Sequence, residues 1–237
     1  VFFIVGETTR WGIVKRWARS SLWLLAKVAG TRSVMTGQER IPKGPLIVAS
    51  KHQSFWEVIS LVPELDKPTF ILKKELMRIP VFGWYAKRMG MIPVDRKRRG
   101  AVLPSLLAEA RIAVADGRQI VIFPEGTRAA PGAPPNYRPG IHFLYDALHL
   151  PIVPVALNSG LFWPRQAVRR ESGTIRAEFL DVVEAGLSRE DLLHVLSQRI
   201  ETRTDALMRQ ALAETPRLPV SERLERHLAT SSETANS

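Results

Sequence analysis

Short apolar runs rich in β-branched residues recur along the chain and predict six β-strands. Continuous apolar runs of this length are typical of strands that are buried on both faces of a sheet. The run nearest the C-terminus is the weakest of the six. The runs cover residues 46–49, 69–72, 91–94, 120–123, 152–157 and 174–180.

Stretches with the apolar spacing of helices separate these runs. Alternation of strands and helices predicts helices packed on both faces of a mostly parallel sheet. A chain of 237 residues is long enough for one large core. We therefore predict a single-domain α/β sandwich in residues 34–213. The helical stretches are 57–61, 76–88, 102–115, 141–150 and 189–212.

The chain ends differ from this central part. The helical pattern at 10–28 carries Trp11, Trp17 and Leu25, and all of its charged residues are positive. We treat residues 1–33 as a separate N-terminal segment. Such a helix can lie in the headgroup region of a membrane, or it can pack on the domain as an ordinary amphipathic helix. Residues 214–237 hold two prolines and a Ser/Thr-rich end, so we expect a tail without regular structure.

The charge balance adds an anionic partner to this picture. The chain has 34 Lys+Arg against 23 Asp+Glu, a net charge of +11. Such a chain attracts nucleic acid, an anionic membrane surface, or a phosphorylated or CoA-like substrate. No helix-turn-helix, zinc or RNA-binding aromatic signature is present, so we expect no nucleic-acid partner, which a salt-sensitive gel shift would test. The chain lacks cysteine, which excludes disulfides, thiolate metal sites and a catalytic thiol.

A histidine and a carboxylate follow the first predicted strand. They lie in the run Lys51-His52-Gln53-Ser54-Phe55-Trp56-Glu57. Ligands of parallel sheets bind at the carboxyl ends of strands. A carboxylate at the start of the next helix can turn back to the imidazole and stabilise its charged form, which makes His52 a candidate general base. A histidine that merely packs or caps at a helix start gives the same pattern.

Two further polar motifs close predicted strands. The first, Gly90-Met91-Ile92-Pro93-Val94-Asp95-Arg96, continues into three more cations. The second is Phe123-Pro124-Glu125-Gly126-Thr127-Arg128. Consecutive cations attract phosphate, and the planar fork of Arg128 suits phosphate oxygens. Each motif alone is also typical of a solvated loop.

The motifs are specific as a set and in this order: HxxxxE, GxIPVDR, FPEGTR and then Val153-Pro154-Val155-Ala156-Leu157. The set resembles the 1-acylglycerol-3-phosphate acyltransferases, the bacterial phospholipid-synthesis branch of the glycerolipid acyltransferase superfamily. The resemblance extends from about Gly37 to about Leu180. FPEGTR together with an upstream HxxxxE is its most specific part. Residues 51–57 and 157–164 are similar to the proteobacterial subgroup.

The resemblance implies a role for each matching residue. His52 matches the catalytic base, and Glu57 stands where most members have Asp. Arg138 stands in Arg-Pro-Gly, where the family often has Lys-x-Gly. The residues that match elements for binding the phosphate of the acceptor are Arg96, Glu125, Gly126, Thr127, Arg128 and Arg138.

The resemblance also implies the reaction and its setting. A fatty acyl group would pass from acyl-CoA or acyl-carrier protein to the sn-2 hydroxyl of 1-acyl-sn-glycerol-3-phosphate, giving phosphatidic acid without cofactor or metal. The acceptor is a membrane lipid, which implies an anionic membrane surface as partner and the cytoplasmic face of the bacterial inner membrane. Another acceptor, such as glycerol-3-phosphate or a lyso-aminolipid, stays open. A non-catalytic membrane-binding relative is the remaining alternative, against which the presence of His52 argues.

Other catalytic schemes lack their motifs. The chain has no G-x-S-x-G element, so we interpret Ser54 as a structural hydroxyl or helix cap. The remaining histidines have no metal-ligand spacing and are expected at the surface or in packing. They are His142, His149, His194 and His227.

Overall fold

The computed structural model describes residues 2–95, 102–165 and 168–234. Seven strands form one sheet: β1 (Thr31–Thr36), β2 (Leu46–Ser50), β3 (Pro68–Lys73), β4 (Ile92–Val94), β5 (Gln119–Ile122), β6 (Ile152–Leu157) and β7 (Gly173–Phe179). Their order across the sheet is β1-β7-β6-β2-β5-β3-β4. The pair β6–β7 is antiparallel, and the other neighbouring pairs are parallel. The prediction of a mostly parallel sheet is confirmed.

Eight α-helices accompany the strands among the described residues. Two short 3-10 turns, Gln38–Arg40 and Lys74–Arg78, lie in the connections. The helices are α1 (Glu7–Ala29), α2 (Trp56–Glu64), α3 (Phe82–Arg88), α4 (Val102–Ala115), α5 (Gly140–Leu148), α6 (Ser159–Phe162), α7 (Arg189–Glu214) and α8 (Glu222–Thr234). No helix in the described ranges is long and apolar enough to cross a membrane.

The sheet separates two apolar clusters. Val48 of β2 faces the cluster that α1, α2 and α8 share, whereas its neighbour Ile47 faces the cluster built with α4 and α5. Successive strand residues point to opposite faces, so helices on both faces bury every residue of β2. This double burial is the reason for continuous apolar runs in the sequence. Helix α7 contributes to both clusters, with Met208 to the first and Leu196 to the second.

Strand β1 was not predicted from the sequence. Its residues Thr31–Thr36 lie at the sheet edge and pair with β7 alone, and only Thr31 is buried. An edge strand of this kind carries no apolar run. The expected boundary of the N-terminal segment at residue 33 falls inside this strand, so the sheet begins earlier than the sequence indicated.

The expectation of a tail without regular structure over 214–237 is corrected. Residue 214 ends α7, and α8 occupies Glu222–Thr234. Leu218 and Leu224 are buried in the core cluster, and His227 Nε2 lies 2.9 Å from the carboxylate of Asp205 on α7. A few apolar residues are enough to order this segment, because they pack against a surface that the rest of the domain has already formed. The composition of the segment alone does not reveal that surface.

Candidate active site

The parallel strands β2 to β6 end at one edge of the sheet, and the polar motifs lie there. His52 follows β2, Asp95 follows β4, the loop from Phe123 to Arg128 follows β5, and Ser159 follows β6. Strand β2 is flanked by β5 and β6, so three of these segments are close neighbours. The sheet topology thus brings together motifs that are about a hundred residues apart in sequence.

The start of α2 holds His52 and Glu57 together. Glu57 lies in the first turn, and its Oε1 accepts hydrogen bonds from the backbone N–H of Gln53 at 2.6 Å and of Ser54 at 2.7 Å. Ser54 Oγ in turn accepts from the N–H of Trp56 at 2.9 Å, an arrangement similar to a capping box. Ser54 therefore satisfies the first backbone N–H of the helix, in line with the structural role expected of its hydroxyl.

The carboxylate of Glu57 orients the imidazole of His52. Glu57 is fully buried, and its Oε1 lies 2.9 Å from His52 Nδ1. Two hydroxyls donate to the other oxygen, Ser54 Oγ at 2.9 Å and Ser159 Oγ at 2.8 Å. An ionised carboxylate only accepts, so Nδ1 carries the proton and Nε2 keeps the lone pair of a base. The ring also stacks on Phe123, with centroids 3.9 Å apart.

The loop after β5 is tied to the same place. Gly126 has φ 68°, and its N–H donates to the carbonyl of Phe123 at 2.9 Å, closing a tight turn that favours glycine. The N–H of Ala129 donates to the carbonyl of His52 at 2.8 Å. The N–H of Arg138 donates to the carbonyl of Pro124 at 2.9 Å. These bonds fix the backbone of the FPEGTR loop beside the pair of His52 and Glu57, which we call the dyad.

Two arginines at this edge are available to an anion. Thr127 and Arg138 are exposed, and Arg128 is partly exposed. Neither guanidinium forms an ion pair with a carboxylate in the described part of the chain. Arg128 directly precedes Ala129, whose N–H donates to the carbonyl of His52. Both arginines thus leave their guanidinium groups open to an anion at the sheet edge that carries His52.

Glu125 faces the interior, which differs from the direct phosphate contact expected of its motif. Its side chain is 3% exposed, and Oε1 lies 2.9 Å from Lys51 Nζ. It also accepts a backbone hydrogen bond from His52. A buried carboxylate in this position repels rather than binds a phosphate. Glu125 instead binds Lys51 and the backbone of His52 from the interior of the domain.

Lys51 joins a buried polar cluster that sequence reasoning missed. Its Nζ lies 2.8 Å from Glu201 Oε1 on α7, and Tyr137 donates to the same oxygen at 2.8 Å. Burial lowers the pKa of Lys51, but Glu201 and Glu125 outweigh it, and the net shift raises that pKa above 10.5. Burial is the largest effect on Glu125 and raises its pKa, Lys51 lowers it, and Glu201 adds to the rise, so that the net shift is upward from 4.5. The single ammonium of Lys51 thus forms ion pairs with both carboxylates, Glu125 and Glu201.

The residue after β6 was also missed as part of the site. Ser159 donates to Glu57, and the N–H of Gly160 donates to Gln53 Oε1 at 3.0 Å. The sequence offered one signal, the run of polar and small residues Asn158-Ser159-Gly160 directly after a buried strand. Its partner could not be found in the sequence, because Ser159 and Glu57 are 102 positions apart.

Arg96 lies outside the described residues. The motif before it ends with β4, and Asp95 lies 3.5 Å from Lys74 Nζ. In the described ranges, no group of three His, Asp or Glu side chains is arranged to hold a metal ion.

Comparison with known proteins gives this site a family. The family model described as Acyltransferase matches residues 32–158, more than half of the chain. The chain belongs to the acyltransferase family. The matched range contains β2, α2 and the FPEGTR loop, so the acyltransferase carries its dyad inside the family domain.

Relatives and a solved structure agree with this assignment. The acyltransferase is 33% identical over 189 residues to the 1-acyl-sn-glycerol-3-phosphate acyltransferase of Pseudomonas aeruginosa, covering 80% of this chain and 74% of that protein. It is 29% identical over 147 residues to the chloroplastic enzyme BAT2 of the same name from Brassica napus, covering 61% of this chain but 41% of that protein. The crystal structure of the 1-acyl-sn-glycerophosphate acyltransferase PlsC from Thermotoga maritima has the same fold, with a TM-score of 0.71 at 19% identity over 87% of this chain and 85% of that one.

Proposed function

We propose that this acyltransferase moves a fatty acyl group from an acyl thioester to the sn-2 hydroxyl of 1-acyl-sn-glycerol-3-phosphate, forming phosphatidic acid. The donor is acyl-CoA or acyl-carrier protein. The observation that carries the proposal is the contact between His52 Nδ1 and the buried carboxylate of Glu57. The names of the relatives from Pseudomonas aeruginosa and Brassica napus support the choice of acceptor.

The proposed reaction is a direct transfer. His52 Nε2 takes the proton of the acceptor hydroxyl while the oxygen attacks the thioester carbonyl. The tetrahedral intermediate collapses, the C–S bond breaks, and the leaving thiolate takes the proton from the imidazolium. Glu57 stabilises the imidazolium and keeps the ring in position, because its carboxylate is already fixed by four donors besides His52.

Arg128 and Arg138 supply the acceptor specificity in this proposal. A guanidinium binds a phosphate through two parallel hydrogen bonds, and neither arginine is engaged with a described carboxylate. Holding the phosphate fixes the glycerol backbone, so the free hydroxyl stays within reach of His52. Positioning of this kind contributes several kcal/mol to lowering a barrier.

Helix α1 supports a place on an anionic membrane surface, which we assign to the cytoplasmic face of the bacterial inner membrane. The helix buries Trp11 and Ala18 against the domain. A stripe of apolar residues on it stays exposed to solvent, with cations beside it. The exposed apolar residues of α1 are Ile13, Trp17, Trp23, Leu24 and Val28.

The decisive experiment is acyl transfer to 1-acyl-sn-glycerol-3-phosphate in detergent micelles, with acyl-CoA and acyl-carrier protein offered separately. We expect wild-type activity with at least one donor and a loss of about 10²–10⁴-fold or more in His52→Ala. The control is His194→Ala, a change of an exposed histidine on α7, which should leave the rate unchanged. Full activity in His52→Ala would remove His52 from the role of base.

A panel of acceptors tests the substrate assignment. Glycerol-3-phosphate and a lyso-aminolipid are offered under the same conditions, and we expect slower transfer to both. Arg128→Gln should raise the KM for the phosphate-bearing acceptor more than that for the lyso-aminolipid. Faster transfer to either alternative acceptor would replace the proposed substrate.

A further inference from the structure

A second exposed apolar surface, distinct from the exposed stripe of α1, lies on the connection between β3 and β4. It spans the 3-10 turn Lys74–Arg78, the following turn and α3. Trp84 is 63% exposed, which is unusual for the largest apolar side chain. We name residues 76–85 the β3–β4 patch. Its exposed apolar side chains are Leu76, Ile79, Val81, Phe82, Trp84 and Tyr85.

The start of the chain extends this patch. The Phe3 ring lies 5.3 Å from the Tyr85 ring, and Phe2 lies beneath at 4.5 Å from the same ring. The guanidinium of Arg88 donates to the carbonyl of Phe3 at 3.1 Å. Phe3 and Ile4 are themselves exposed. The patch is therefore continuous with the segment that leads directly into α1.

The backbone holds the patch outward. Val81 has φ 68° and ψ −61°, and the N–H of Phe82 donates to the carbonyl of Pro80 at 2.8 Å, which makes a γ-turn. A β-branched residue with positive φ is strained. A side chain at Gly83 would overlap the carbonyl oxygen of Met77, so the two halves of the connection pack tightly. The strained turn at Val81 keeps apolar side chains exposed and adds nothing to the core of the domain. Such strain indicates that these side chains contact something outside the domain.

Cations surround the patch. Residues 73–88 carry five cations and one carboxylate, Glu75. Apolar side chains bordered by long cationic ones match a phospholipid surface, where acyl chains lie just below anionic headgroups. The five cations, all exposed, are Lys73, Lys74, Arg78, Lys87 and Arg88.

We propose that the β3–β4 patch, with Phe3 and Ile4, docks into an anionic phospholipid bilayer as a second contact beside α1. The 3-10 turn begins where β3 ends, at the same edge of the sheet as His52. One helix lying on a membrane leaves the domain free to rotate about it, whereas two contacts fix which edge faces the lipid. The proposal rests on the proposed function in that a lipid acceptor must reach His52 from the bilayer.

The test is sedimentation with vesicles in the absence of any substrate. The vesicles contain phosphatidylglycerol and phosphatidylcholine in equal parts, or phosphatidylcholine alone. We expect the double variant Phe82→Ser/Trp84→Ser to bind the mixed vesicles about tenfold or more weakly than wild type. The control Ile112→Ser removes an exposed apolar side chain from α4, on the opposite face of the sheet, and should not change binding. Equal binding by the double variant overturns the proposal.

A second readout uses the fluorescence of Trp84 itself. Brominated lipids quench tryptophans that reach the acyl region, and Trp84→Phe should keep vesicle affinity while losing part of the quenching. Unchanged quenching in Trp84→Phe overturns the proposal. So does a lipid-free wild type that is dimeric while Phe82→Ser/Trp84→Ser is monomeric, because the occupant is then a second copy of the chain.

Activity separates this proposal from the proposed function. The double variant should retain wild-type acyl transfer in detergent micelles and lose it with acceptor embedded in vesicles. A wild type that is inactive toward every acceptor would contradict the proposed function, whereas vesicle binding would still test the patch. Equal losses in micelles and vesicles would assign Phe82 and Trp84 to the catalytic domain rather than to docking.

Discussion

At the scale of single residues, the structure explains why a glutamate suits position 57. The side chain sits in the first turn of α2 and must reach back to the N–H groups of Gln53 and Ser54 as well as to His52. The resemblance gives Asp at this position in most members, and Asp is shorter by one methylene. The longer side chain here is matched by Ser54 and Ser159, which hold its second oxygen.

The charge of Glu57 should matter more than its length. Glu57→Gln keeps the shape but cannot accept from every donor or stabilise an imidazolium, so we expect kcat to fall by about a hundredfold or more. Glu57→Asp keeps the charge and should retain more activity than Gln. Steady-state rates of both variants, beside circular dichroism to check folding, decide this. A Gln variant as active as Asp would contradict the role of the charge.

Lys51 should be a major contributor to stability. Lys51→Met leaves the buried Glu125 and the partly buried Glu201 without their shared cation, so we expect a loss of about 3–5 kcal/mol in the free energy of unfolding. Denaturant titration measures it. The matched control is Lys67→Met, which breaks a partly exposed pair with Glu7 and should cost under about 1 kcal/mol. Similar losses in the two variants would refute a special role for the buried cluster.

The same cluster predicts a loss of stability in alkali. The pKa of Lys51 is raised in the fold, so its contribution is fully present below 10.5 and disappears as the pH rises through the higher folded value. Thermal unfolding followed upward from pH 10.5 should therefore decline less in Lys51→Met than in wild type. Parallel declines in the two proteins would show that other groups dominate.

At the scale of elements, the connection between β3 and β4 shows how local chemistry divides a helix. A single helical pattern at 76–88 appears in the structure as the turn Lys74–Arg78 and the helix Phe82–Arg88. Pro80 lacks an N–H, and Val81 leaves the helical region. The close contact of Gly83 with Met77 then sets the angle between the two pieces.

Gly83 should tolerate no side chain. Gly83→Ala places a methyl group against the Met77 backbone, and we expect the free energy of unfolding to fall by about 1–3 kcal/mol. Gly12 in α1 has open space around it, so Gly12→Ala should raise stability by about 0.5–1 kcal/mol. Chemical denaturation of the two variants gives both values. A neutral Gly83→Ala would mean that the connection can shift freely.

At the scale of the whole molecule, α8 links the end of the chain to the active-site loops. A side chain at Gly132, in the segment between Arg128 and Arg138, would meet the backbone of Leu224. Arg209 of α7 donates to the carbonyl of Leu228 at 3.1 Å. The C-terminal helix therefore braces both α7 and the loop that carries the two arginines.

Removing the anchor of α8 should affect stability and substrate binding together. Leu224→Ala empties a buried site, and we expect a loss of about 2–5 kcal/mol in the free energy of unfolding, with a raised KM for the acceptor. Ile112→Ala removes an exposed side chain and should change stability by no more than about 0.5 kcal/mol. Urea unfolding and acceptor titration test both effects. An unchanged KM in a destabilised Leu224→Ala would limit α8 to a structural role.

The sequence by itself determined most of the sheet. Six strands and the mostly parallel order followed from apolar runs, because a strand buried on both faces leaves a continuous local signature. His52 and Glu57 could also be found from a local signal, because both partners lie within one strand-to-helix turn. Residues 96–101 lie outside the described ranges, so the role of Arg96 stays a prediction.

Only the tertiary structure decided the partners that come from distant segments. Ser159 on Glu57 and Glu201 on Lys51 are joined across more than a hundred positions, and no local pattern marks either pair. The edge strand β1 and the helix α8 stayed hidden because each buries few residues against surfaces that other elements build. Glu125 kept its motif but faces inward, because burial and charge pairing depend on what surrounds a residue in space rather than in sequence.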